Sequence, residues 1–139
     1  MVVKCMEYKN SYKGFILWLI SFLVLFFIIP FLPISNIALI TRIALNFMTL
    51  YIALLSYIIY KTEYIYWYNG ISYKQALEAG SKRRKLYAYQ HFYLFGRFAV
   101  FFLAFSIQCH ITSKHYGFDI ALATIGLVIT ALSTMKIKL

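Results

Sequence analysis

Acidic residues are scarce in this chain. Only four of 139 residues are Asp or Glu: Glu7, Glu63, Glu78 and Asp119. No two of them are placed to divide acid and base work, as hydrolytic chemistry requires. Cysteine is almost as rare. Cys5 and Cys109 stand far apart and neither belongs to a C-x-x-C pair, so redox and zinc chemistry have no support in the spacing. A G-x-S-x-G elbow, an H-E-x-x-H helix and a phosphate-cradling glycine loop are also missing. These absences lead us to expect a protein that is not an enzyme and needs no cofactor or metal.

Charge of either sign is thin, at 13% against about 25% for globular domains. What takes its place is hydrophobic residues, at 63% against roughly 45–50%. A soluble chain of this length, one domain over 1–139, has too small an interior to hide so much apolar surface. The bilayer is the solvent that fits. The net charge of +10 does not imply nucleic acid, because the basic residues sit in the tails and one loop rather than among polar, base-reading side chains. We assign them to membrane orientation and to anionic headgroups.

A spanning helix takes about 20 apolar residues to cross roughly 30 Å of hydrocarbon. Four segments qualify: 15–34, 37–60, 92–111 and 119–135. The first follows Lys4, Lys9 and Lys13, as a signal peptide would, but it is too long for a signal core and lacks an A-x-A site. Pro30 and Pro33 are expected to kink or end it. Ser35 and Asn36 suit the cap of the next helix, and Tyr116 with Gly117 breaks the last pair. The predicted fold class is therefore all-α: a polytopic membrane protein, a four-transmembrane-helix bundle.

Lysine and arginine set its orientation. Lys4, Lys9, Lys13, Lys61, Lys74, Lys82, Arg83, Arg84, Lys85, Lys136 and Lys138 share one side, and only Lys114 lies in a turn on the other. By the positive-inside rule both ends are cytoplasmic, N-in and C-in. Tyr57, Tyr60, Tyr64, Tyr66, Trp67, Tyr68, Tyr87, Tyr89 and Tyr93 mark the same inner boundary, as an interfacial aromatic belt does. An aromatic cage for a cationic ligand is the functional alternative.

The connection 61–91 is the one sizeable region outside the spans. Asn69 and Gly70 predict a turn, and Ser72 to Gln75 fits an S-x-x-Q capping box. Gly80 and Ser81 should interrupt that helix before Ser81 caps a second one, which runs into the third span. Lys82, Arg83, Arg84 and Lys85 encircle this helix, since each step turns about 100°. We expect them to contact lipid headgroups.

Polar residues inside spans are costly and carry the remaining information. Arg42, Asn46, Thr49, Ala53, Ser56 and Tyr60 recur at steps of four and three along the second span; Asp119, Ala123, Gly126, Thr130 and Ser133 do so along the fourth. Both helices run outside to inside, so Arg42 is level with Asp119. We expect these two to pair near the outer face and Glu63 to pair with Arg97 near the inner one. Seams of small, weakly polar residues suit helix packing. The second and fourth spans should thus form the interior and the first should face lipid. Arg42, Asn46, Arg97 and Asp119 are the intramembrane polar residues of interest.

Cys109, His110, His115 and Asp119 gather near the outer turn but fit no zinc pattern. His91 and His110 lie at opposite faces, which excludes a shared haem. The functional expectation is a non-enzymatic membrane protein that works through protein or lipid contacts, as an accessory subunit or immunity-type protein does. Its partners would be an anionic bilayer and a larger membrane protein or further copies of itself. The alternative is a small oligomeric transporter or channel using the second-span seam. Abundant Ile, Phe, Tyr and Lys suggest an AT-rich bacterial genome, hence a plasma membrane location.

Overall fold

The structure, a computed structural model, describes residues 8–68 and 70–139. Cys5 and the Asn69 half of the expected turn lie outside them. The chain is about 80% helical, with no strand among the described residues. Helix α1, Lys13–Ile28, gives way at Pro30 to a 3-10 turn, Ile29–Phe31. Proline cannot donate to an α-helical ladder, so the change of hydrogen bonding falls where it was expected. Helix α2, Ile37–Thr62, opens under a cap in which the Leu39 amide donates to Asn36 Oδ1 at 3.1 Å. It closes at Glu63, in the left-handed region at φ 62°.

After a second 3-10 turn, Ile65–Trp67, comes helix α3, Tyr73–Ile111. Its capping box is complete: the Gln75 amide donates to Ser72 Oγ at 3.2 Å, and the Ser72 amide donates to Gln75 Oε1 at 2.8 Å. The helix is broken at Gly80, whose φ of 74° and ψ of 161° fall in a region essentially reserved for glycine. Ser81 does not spend its hydroxyl on a cap but donates to Glu63 Oε1 at 2.8 Å. Helix α4, Gly117–Thr134, follows a short turn at 112–116. Among the described residues four helices are long and apolar enough to cross a membrane. The third is far longer than the expected span 92–111, because the basic segment before it is helical too.

Helix α3 is the hub. It packs along α2 and α4, whereas α2 and α4 touch each other much less. The expected interior of second and fourth spans is therefore corrected: the third lies between most of their lengths. Its own buried seam includes Ala88, His91, Ala99, Phe102, Ser106 and Cys109, at steps of three and four with one gap of about two turns between His91 and Ala99. Small residues here let neighbouring backbones approach. Gly126 of α4 shows how closely: a β-carbon there would run into the Phe98 ring of α3. Helix α1 buries no residue at all. Its main helix contact is with α2, through Trp18 on Tyr51, Phe22 on Phe47, and a hydrogen bond between the Ser21 and Tyr51 hydroxyls.

Candidate functional site

Two polar clusters stand out against this apolar frame, one at each end of the bundle. The first, at the end that holds the 112–116 turn, is built on Arg42. Its place one turn into α2 aims the guanidinium at the 112–116 turn and at the start of α4. Arg42 Nε donates to Asp119 Oδ2 at 3.1 Å, and the pair is removed from solvent, with side chains 7% and 0% exposed. A second guanidinium nitrogen donates to the Lys114 carbonyl at 2.6 Å, and the third lies 3.5 Å from His110 Nδ1. Asp119 occupies the first turn of α4, where the free amides of a helix start favour a negative charge. One arginine thus ties together α2, the end of α3, the turn and α4. The expected contact of Arg42 with Asp119 is present, and sequence reading missed His110 and the Lys114 carbonyl.

Beside this cluster a groove of about 410 Å³ runs between α2 and α3. Leu39, Ile43, Phe47 and Leu50 form one wall, Leu103 and Ile107 the other; Arg42, Asn46, Ser106 and His110 supply the polar atoms. Asn46 Nδ2 donates to the Arg42 carbonyl at 2.9 Å, while its Oδ1, like Asp119 Oδ1, is buried with no hydrogen-bond partner among the described residues. Farther along the α2 seam Thr49 and Ser56 are buried. Thr49 returns its hydroxyl to the Asn46 carbonyl, as hydroxyls in an apolar helix do. Cys109 is buried, His110 faces Arg42, and His115 accepts from the Gly117 amide at the start of α4 at 3.1 Å. Their side chains serve three different neighbourhoods.

The second cluster, at the opposite end of the bundle, corrects two expectations. Glu63 pairs not with Arg97 but with Arg84, 3.0 Å from its Nη2 and 3.1 Å from its Nε, and with Lys85 at 3.5 Å. Arg97 is exposed and makes no ion pair among the described residues. The cause is the glycine break: Gly80 turns the basic segment back toward the end of α2. Arg84 is consequently buried rather than available to headgroups. It also donates to the Ala76 carbonyl at 3.1 Å and lies 4.0 Å from the ring centre of Tyr8. Lys82, Arg83 and Lys85 are exposed.

Around Arg84 the aromatic belt closes into a collar. Tyr8 stacks on Tyr73 and donates to the Glu63 carbonyl at 2.9 Å. Tyr73 in turn donates to the Tyr8 carbonyl. The Tyr66 hydroxyl accepts from the Ser11 amide and shares its proton between the Lys9 and Ser11 carbonyls, while Trp67 donates to the latter at 3.0 Å. Burial pushes the Tyr8 phenol well above its usual range, against the opposing pull of Arg84, and burial likewise raises Tyr66. Both therefore stay neutral donors at physiological pH. The cation that meets this aromatic cluster is the chain's own Arg84. The collar fastens the segment before α1 to the connection between α2 and α3, leaving α1 a fixed starting point.

Comparison with family models, with curated proteins and with solved structures gives no match.

Proposed function

We propose that this chain is a multi-pass integral membrane protein with both ends cytoplasmic, acting without catalysis through contacts with another membrane protein or with lipid. It would sit in a plasma membrane with anionic headgroups and serve as an accessory subunit or immunity-type protein. The observation that carries this reading is α1. It is apolar nearly all round, with mean hydropathy 2.6 over an 18-residue window within Lys13–Phe31, and Lys13–Ile28 contributes no buried residue to the fold. A helix that the rest of the bundle barely covers offers its circumference to lipid or to a partner helix. The two polar clusters support the same view, since their charged groups are occupied by one another.

A second reading keeps the groove beside α2 as part of a solute path in an oligomer. The unpaired Asn46 Oδ1 and the open polar end at His110 favour it. Reconstitution separates the two. We expect purified chain in liposomes to give no ion or dye flux above protein-free vesicles. We also expect it to copurify stoichiometrically with a membrane protein in mild detergent, an association lost when Leu17 and Val24 on the open face of α1 are changed to Ala. Flux that changes with Arg42→Gln or Asn46→Ala would instead establish the carrier.

A further inference from the structure

The segment after α4 does not simply trail away. Ile137 and Leu139 pack against the buried cluster at the inner end, around Ile59, Ile65 and Tyr87. Backbone bonds from the Lys136 and Ile137 amides to the Ser133 and Thr134 carbonyls hold the turn. Alternation then puts Lys136 and Lys138 outward. Together with α3 they bound a cleft of about 420 Å³, whose α3 side is Tyr89, Gln90, Tyr93 and Leu94.

Three properties of the cleft point one way. It carries two ammonium groups and no carboxylate. The phenols of Tyr89 and Tyr93 are about half exposed, at 47% and 51%, with no hydrogen-bond partner among the described residues. It also falls at the inner end of the third and fourth spans, where a lipid headgroup lies, and Leu94 and Ile137 add an apolar flank for the first acyl carbons. The neighbouring cleft of about 320 Å³ has a different character, because Glu78 shares its lining with Arg83. Arg84 and Lys85, expected at headgroups, already face Glu63.

We propose that the cleft between α3 and the segment 136–138 binds the phosphodiester headgroup of an anionic membrane phospholipid, held by Lys136, Lys138 and the hydroxyls of Tyr89 and Tyr93. This rests on the membrane reading above. It differs from diffuse attraction to a charged surface in being tied to four side chains. Lysine donates as a compact point charge, and tyrosine supplies a neutral donor at the same depth.

The test uses the full chain in phosphatidylcholine nanodiscs titrated with phosphatidylglycerol, with bound lipid counted by native mass spectrometry. Lys136→Gln with Lys138→Gln should weaken phosphatidylglycerol binding about tenfold. Lys82→Gln with Arg83→Gln removes the same charge from an exposed helix and should weaken it no more than about twofold. Tyr89→Phe with Tyr93→Phe should weaken it without changing charge. Equal losses from both basic pairs, or equal retention of phosphatidylcholine, would overturn the site. Displacement of the lipid by millimolar inorganic phosphate would also overturn it, assigning the cleft to a soluble anion. Vesicle flotation keeps the two failures apart. A chain that floats but does not select the anionic lipid refutes the cleft alone, whereas alkaline extraction of the unsubstituted chain would refute the membrane reading with it.

Discussion

Arg42 and Asp119 form the most deeply buried ion pair among the described residues. Removing two charges from water costs several kcal/mol each, and the pair recovers it only through close geometry and further hydrogen bonds. Here the 3.1 Å contact supplies the geometry and the Lys114 carbonyl a further bond on the Arg42 side. Loss of one partner leaves the other buried and uncompensated, a loss of about 3–5 kcal/mol. We expect Asp119→Ala and Arg42→Asp to lower the thermal midpoint in mild detergent sharply. Arg42→Asp with Asp119→Arg should recover part of the loss. Recovery will be incomplete, because a carboxylate at position 42 cannot donate to the Lys114 carbonyl. A double reversal no better than either single one would remove the pair from the account. At the opposite end of the bundle Arg84 holds the same kind of position with respect to Glu63, Ala76 and Tyr8. Arg84→Gln should release the segment before α1, read as faster proteolysis near Ser11, while Arg83→Gln should not.

Helix packing depends on small residues at a few places, and Gly126 is the tightest of them. A methyl group there collides with the Phe98 ring, and overpacking of this kind costs about 1–3 kcal/mol. Gly126→Ala should therefore destabilise the chain, and Phe98→Leu should relieve much of that cost in the double variant. A penalty that persists unchanged would mean that α3 and α4 do not meet there. The same elements show what could be read in advance. Helix ends were legible because they are local: Pro30, Asn36 and the Ser72 and Gln75 box each act within one turn. Arg42 and Asp119 were legible because two seams of matching phase fix their depth. The central place of α3 was not read, although Ala88, Ala99, Ser106 and Cys109 carry the same small-residue spacing as the seams that were. The partner of Glu63 was misread for another reason. Depth along a span ranks Arg97 near it, but the bend at Gly80 is a tertiary matter that depth does not encode.

For the molecule as a whole, the governing facts are where charge is absent and where apolar surface is left open. Basic residues collect at the collar end and the segment after α4, while the opposite turns hold Lys114 alone. Between those ends α1, α3 and α4 show broad hydrophobic faces, with Leu17, Phe27, Val100, Ile125 and Val128 all exposed. Such faces would drive aggregation in water and are at rest in hydrocarbon. The central claim is that lipid surrounds these helices, threaded so that the basic end is inside. Its most direct test is accessibility in intact cells, with tags at residues 1 and 139 and single cysteines introduced by Ser35→Cys and Thr112→Cys in a Cys5→Ser, Cys109→Ser background. Membrane-impermeant maleimide should label positions 35 and 112 from outside, with both tags protected until the membrane is opened. Tags on opposite faces, or a chain recovered in the soluble fraction, would contradict the account.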